Sequence, residues 1–314
     1  MKILFVTNSL NYRGTTTAIL DYAKYNEELL GNESIIAYND SLGDETDMGN
    51  VLSVIDTIPH RVVSYGKTKT LNQIIDVIKP DLVYRIGAGE PLEPIVCDSV
   101  YHAVFQFKNH QITAYVSEWL SKECTDSQTP FVPHIVDLPE ATKNYKTLLN
   151  IPEDAFVVGR HGGYYTFDIP FVKEYVKKSL EKDKNLYYVF LNTEPFYNHD
   201  RIKYLNPIHD KQRLSNFIST CDVMLHARTR GESFGLSICE FLYHNKPVVA
   251  FAGGYDKNHL NLVHGNNLYT NEYDLDVIFD RLKERKDIVN YREIVSKFSP
   301  DAVMEKFKTV FLEK

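Results

Sequence analysis

Two glutamates, Glu232 and Glu240, stand with seven residues between them in the stretch Cys221–Gly254, CDVMLHARTRGESFGLSICEFLYHNKPVVAFAGG. A short strand reads Val223–Ala227, a loop reads Arg228–Phe234, and a helix starts near Gly235 and stops before Pro247. A strand that runs through a loop into a helix puts unpaired backbone N–H groups and the positive end of the helix dipole at a sheet's C-terminal edge. That is an anion site, suited to a diphosphate. It is also the edge where open α/β sheets bind ligands. Arg228 and Arg230 add positive charge there. Two carboxylates beside an anion repel it unless they hold something else, and a sugar's hydroxyls donate strong, charge-assisted hydrogen bonds to carboxylates. The bland alternative is a helix cap at Glu232 and a solvated helix residue at Glu240.

The elements that must position these groups alternate along the chain. Ile3–Val6 is a continuous apolar run, as a strand buried on both faces requires. The turn-rich Asn8–Gly14 and a helical pattern from Thr15 to about Glu28 follow. Ile35–Ala37, Arg61–Ser64, Asp81–Arg85, His102–Phe107 and Thr113–Ser117 read as strands, and Leu71–Ile78 as a helix ending before Pro80. The prolines in Thr129–Asp137, TPFVPHIVD, mark a boundary, after which the pattern restarts. Phe156–Gly159, Tyr187–Leu191 and Pro247–Phe251 read as strands, Ile169–Leu180, Asp210–Ser219 and Leu236–Tyr243 as helices, and further helices follow from about Leu275. Strands alternating with helices predict parallel α/β sheets.

Composition narrows the function. The chain has 314 residues, 43% hydrophobic and 25% charged, enough for about two domains. The first 130 residues hold 10 Lys/Arg and 17 Asp/Glu, so the whole net charge of −7 falls there. An acidic front half repels phosphate backbones and anionic lipid, which argues against nucleic acid and a membrane surface as partners. Cys97, Cys124, Cys221 and Cys239 lack ligand spacing and read as reduced thiols. No apolar run approaches the roughly 18 residues of a membrane span, and MKILFVTN is too short an apolar run for a signal peptide. A cytoplasmic location is expected.

The spacing Glu232-x7-Glu240 with Phe234-Gly235, Lys246-Pro247-Val248-Val249 and Gly253-Gly254 resembles the retaining glycosyltransferase family 4, whose members carry a stretch like D-V-x-x-x-P-S-x-x-E-x-F-G-x-x-x-x-E-A-M-A-x-G-x-P-V-V-A-x-x-x-G-G. The resemblance implies a GT-B fold: two Rossmann-like domains facing across a cleft, here about 1–130 on the acceptor side and 131–290 for the nucleotide sugar, with helices at 291–314 packing back towards the first domain. It implies a retaining transferase that moves a sugar from a nucleotide-diphosphate sugar to a glycan or other hydroxyl acceptor. Glu232 would contact the donor sugar, the Ser233, Phe234, Gly235 and Leu236 segment would hold the diphosphate or sugar, and Glu240 would bind the ribose.

Weaker matches lie elsewhere. Phe156–Arg160 resembles the family's V-G-R and implies Arg160 on the diphosphate. The family's following Lys-Gly pair is missing: His161-Gly162-Gly163-Tyr164-Tyr165 stands there, with no lysine before Lys173. Gly162 could give backbone contacts, and Arg228 and Arg230 could supply the missing charge. Extended-chain alternation would put the two arginines on one face. The loop Asn11–Thr17 keeps one glycine, Gly14, of a family Gly-Gly loop, and Thr15 is a candidate helix cap. A plain turn or a flavodoxin-like phosphate loop fits it too. His102 sits in a strand where the family places a cleft histidine, although a lone strand histidine is as readily a core residue. The resemblance needs no protein nucleophile, since in front-face attack the leaving phosphate takes the acceptor's proton. Without an Asp-x-Asp motif, neither metal nor cofactor is expected beyond the donor substrate. A sugar-nucleotide epimerase or hydrolase using His161 and Asp168, or a non-catalytic sugar-nucleotide-binding subunit, are the alternatives. No G-x-G-x-x-G follows the first strand, which argues against a dehydrogenase.

Overall fold

The computed structural model describes residues 1–41, 61–284 and 289–313, and they form two compact units, Met1–Ile135 with Phe298–Lys314, and Val136–Lys297. In the first, six strands make one parallel sheet: β1 (Lys2–Thr7), β2 (Glu33–Asn39), β3 (Arg61–Tyr65), β4 (Leu82–Gly87), β5 (Ser99–Ala103) and β6 (Ala114–Tyr115). Their order is β3-β2-β1-β4-β5-β6. β1 pairs in parallel with both β2 and β4, and Ile3, Leu4, Phe5 and Val6 are buried. That is why its sequence is an unbroken apolar run.

The helix Leu71–Ile78 owes its ends to local chemistry. Gln73 N donates to Thr70 Oγ1 at 3.2 Å while Thr70 N donates to Gln73 Oε1 at 2.8 Å, a reciprocal cap. Lys79, left-handed at φ 51°, then closes the helix before Pro80. The strand expected at His102–Phe107 lies earlier, at Ser99–Ala103. Its apolar residues run on past the ladder into a turn, where Val104 N donates to Gly87 O at 2.9 Å. The core of this unit has an aliphatic cluster, with Leu4, Val6, Ile35, Ile75 and Val83, and an aromatic one. Phe5, Tyr22, Tyr84 and His102 from the strands and first helix pack with Phe307 and Phe311 of the C-terminal segment.

The second unit repeats the plan with β7 (Phe156–His161), β8 (Leu186–Leu191), β9 (Ile202–Leu205), β10 (Val223–His226), β11 (Gly231–Glu232), β12 (Val248–Phe251), β13 (Asp256–Lys257) and β14 (Leu268–Tyr269). The main sheet runs β14-β12-β10-β7-β8-β9, all parallel. Numbered within its own unit, this is the first sheet's order again. In each sheet the winding reverses beside the unit's first strand, between β1 and β4 and between β7 and β10. A crevice opens at such a reversal, outside the strands' C-terminal ends. The parallel α/β architecture expected from the alternating pattern is therefore present in both halves. The short ribbon β11–β13 was not legible in the sequence. It pairs Gly231 with Asp256 and Glu232 with Lys257.

Among the described residues no helix is long and apolar enough to cross a membrane.

Candidate functional site

The loop and helix that carry Glu232 and Glu240 leave β10 at the reversal of the second sheet. Backbone constraint shapes this stretch. Gly231 has φ +77°, and a Cβ there would lie 1.9 Å from the Asp256 carbonyl oxygen, so only glycine lets β11 meet β13. Gly235, at φ +95°, is the N-cap of the helix Leu236–Tyr243 and brings no side chain to its first turn. Among the described residues no side chain caps the first-turn amides of that helix, which suits an anion.

Each glutamate is held by a histidine at the end of a strand. β10 pairs with β7 through Met224 and Gly159, and His226 and His161 each lie two residues further on. The pair thus occupies neighbouring positions at the C-terminal edge, on one face of the sheet. His226 Nε2 hydrogen-bonds Glu232 Oε1 at 2.9 Å, and Arg228 Nη1 donates to Glu232 Oε2 at 3.0 Å. Burial pushes the Glu232 carboxyl upward, but the His226 hydrogen bond and the Arg228 charge more than reverse this and hold it at about 2. Glu232 is an anion at neutral pH. Glu240 is buried within its helix and hydrogen-bonds His161 Nε2, whose ring stays partly exposed.

A second ring stands behind Glu232. Its backbone N–H donates to His259 Nδ1 at 3.3 Å, while His259 Nε2 bonds the Phe251 carbonyl at 2.9 Å. An Nδ1 that accepts a backbone amide must be unprotonated, so His259 is neutral with its proton on Nε2. Burial lowers its pKa in the same sense.

The arginines differ from expectation. Arg160 is buried, and its guanidinium is committed to its own loops. Nη1 donates to Asn192 O at 3.0 Å and Thr193 Oγ1 at 2.5 Å, and Nη2 to Gly163 O at 2.9 Å and Thr166 Oγ1 at 2.7 Å. It fastens the segments after β7 and β8 and has four of its five donor positions occupied. Burial lowers its pKa to about 10, so it remains a cation at neutral pH. Arg228 and Arg230 do not share one role. Arg228 meets Glu232, whereas Arg230 Nε donates to the buried Asp256 Oδ2 at 2.7 Å. The alternation expected of an extended loop fails because Gly231 N donates back to Arg228 O at 3.1 Å, closing a tight turn.

Of the remaining candidates, Ser233 and Phe234 are buried, and Asn258 Nδ2 donates to Phe234 O at 2.6 Å. Leu236 opens the helix. The Gly162 carbonyl accepts Asn192 Nδ2 at 2.8 Å. Asp168 Oδ1 accepts Thr229 N at 2.7 Å, and His161 hydrogen-bonds Glu240. In the first unit, Gly14 is exposed at the start of the helix Gly14–Glu28, whose N-cap position is Arg13, not Thr15, and carries no side-chain cap hydrogen bond. There it is Thr16 that ties the loop, its Oγ1 accepting Asn11 N at 3.0 Å.

His102 is fully buried, with Nδ1 2.6 Å from the Tyr84 hydroxyl, and burial lowers its pKa to about 4. With no exposed surface it packs the aromatic core, and the expected contact with a donor sugar has no surface to form on. Among the described residues no group of three or more His, Cys, Asp and Glu side chains is placed to hold a metal ion.

Sequence reasoning passed over His226 and His259. His226 had a signal, the last residue of a strand at the edge that binds ligands. His259 had none, because it is brought in by the ribbon β11–β13.

No protein-family model and no curated protein matches this chain. Solved structures do. HepE from Anabaena in complex with UDP and glucose is 16% identical, with a TM-score of 0.70 over 98% of both chains. A glycosyltransferase from Rickettsia africae is 13% identical, with a TM-score of 0.68 over 98% of both chains. A point mutant of S. aureus TarM in complex with Fondaparinux, alpha-GlcNAc-glycerol and UDP is 11% identical, with a TM-score of 0.71 over 98% of this chain and 99% of that one. The likeness is one of fold, and it spans two Rossmann-like domains of the GT-B type.

Proposed function

We propose that this chain is a metal-independent, retaining glycosyltransferase that moves a sugar from a nucleoside-diphosphate sugar to a glycan or other hydroxyl acceptor, in a reducing, cytosol-like compartment. The observation that carries the reading is the segment Arg228–Tyr243. At the reversal of a Rossmann sheet it combines a helix N-terminus free of side-chain caps with two carboxylates that are already held in place. UDP is the favoured base carrier, because HepE and TarM, which share the fold, are each in complex with it.

In this reading the diphosphate lies on the amides of Phe234, Gly235 and Leu236. Glu232, kept anionic, accepts hydrogen bonds from the donor sugar's hydroxyls, and Glu240 accepts from the ribose. Arg228 keeps Glu232 in place and turns its remaining N–H groups to the phosphates, in place of the lysine that the sequence lacks. The acceptor oxygen bonds to the anomeric carbon on the face from which the diphosphate departs. The carbon–phosphate oxygen bond breaks, and the leaving phosphate oxygen takes the acceptor's proton. No protein nucleophile is consumed, and the protein's contribution is fixed dipoles and charge where negative charge grows.

A thermal-shift screen of UDP-, GDP-, ADP- and dTDP-sugars, with and without EDTA, tests the reading. A ligand of the native state raises the melting temperature with the logarithm of its concentration. One donor class should stabilise the chain in EDTA, and Glu240→Ala should weaken its binding roughly ten- to hundred-fold. Absence of stabilisation by every donor would refute the proposal.

A further inference from the structure

The hydrogen bond between His161 and Glu240 joins residues 79 apart in sequence, and it answers a physical problem. Glu240 is buried at 6% exposure in a helix otherwise lined by Ile238, Cys239, Phe241 and Leu242. A carboxylate so placed needs a donor. A glutamate also has three side-chain torsions to fix before it can hold a ligand, and fixing them on binding costs affinity. His161 meets both needs. It comes from the rigid end of β7, where Arg160 one residue before it is tied to both neighbouring loops. Its Nε2–H donates to Oε2 of the carboxylate, and Oε1 carries no hydrogen bond from another described residue. The imidazole is 20% exposed, so the pair reaches the surface at the ligand-binding edge of the sheet.

We infer that His161 is a positioning residue that presets the Glu240 carboxylate, leaving Oε1 to accept from the vicinal ribose hydroxyls, and so makes the site selective for ribonucleotides over deoxyribonucleotides. The inference rests on the nucleotide-sugar reading above and extends it to a residue outside the Glu-x7-Glu pair. His161 reaches Glu240 from β7, so the selectivity is set by two elements, not by the helix alone.

The test crosses a side chain with a ligand group. UDP and 2′,3′-dideoxy-UDP are titrated calorimetrically into the full chain as wild type, His161→Leu and His161→Gln. The wild type should prefer UDP by about ten-fold or more, the worth of hydrogen bonds to a charged acceptor. His161→Leu should reduce that preference about two- to ten-fold while leaving the affinity for dideoxy-UDP unchanged. His161→Gln, which can place an amide N–H near the lost Nε2, should restore it. A merely structural histidine would weaken both ligands alike in His161→Leu, and that result overturns the inference, as does an undiminished preference. A wild type that binds both ligands equally, or binds neither, instead sinks the nucleotide-sugar reading, and the inference with it.

Discussion

Arg228→Met removes the charge from one of the two groups holding Glu232 and keeps much of the aliphatic stem. The side chains of Arg228 and Glu232 are 21% and 16% exposed. The pair therefore lies between surface pairs, worth about 0–1 kcal/mol, and buried ones, where loss of one partner costs about 3–5 kcal/mol. The carboxyl sets a scale: its pKa is about 2 against an ordinary 4.5, although burial alone would raise it. At 1.36 kcal/mol per pH unit, a drop of that size corresponds to about 3 kcal/mol, which His226 and Arg228 share. Part of it, on the order of 1–2 kcal/mol, should be lost in Arg228→Met at pH 7.

Because the native pKa is depressed, this stabilisation is complete above about pH 4.5 and fades only as pH falls towards 2. The loss should therefore be the same at pH 6 and pH 8. Hydrogen exchange of the β10 amides in the full chain measures it, since Trp119, the single tryptophan, lies in the other unit. In a cycle with Glu232→Gln, the double mutant should be about 1–2 kcal/mol more stable than the sum of the singles predicts. Additivity within about 0.5 kcal/mol would show that Arg228 does not hold Glu232.

Gly231→Ala should destabilise the second unit by more than about 2 kcal/mol in the same exchange measurement, because its Cβ collides with the Asp256 carbonyl at a positive φ. His102→Phe leaves the Tyr84 hydroxyl without its partner and should cost about 1–3 kcal/mol, read by Trp119 fluorescence in urea, with nucleotide affinity unchanged. Burial holds His102 at about 4 and His134 at about 3, below the ordinary 6.5. The unfolded chain takes up protons there that the folded one refuses, so the first unit should lose stability as pH falls from about 6.5 to 4, and a midpoint flat across that window would contradict their burial. NMR of the linkage formed should show the donor's anomeric configuration, and an inverted product would exclude the retaining assignment.

Local rules settled much of this protein in its sequence. Unbroken apolar strands such as Ile3–Val6 required burial on both faces, and alternation with helices required parallel sheets. Thr70 and Gln73 closed one helix start, and the anion-ready loop before Leu236 followed from a strand, a glycine and a helix in succession. The two glutamates were visible for the same reason, since seven intervening residues are short enough to be read as one loop and helix. Their partners were not. His161 meets Glu240 and His226 stands beside it only because the sheet order sets β7 next to β10. The ribbon β11–β13 brings Asp256 to Arg230, and with it His259 to Glu232. Arg160, Arg228 and Arg230 carried the same charge in the sequence, and tertiary neighbours gave each a separate task. A side chain's type and local spacing fix what it can bond, whereas burial fixes what it must bond, and burial is decided by segments distant along the chain.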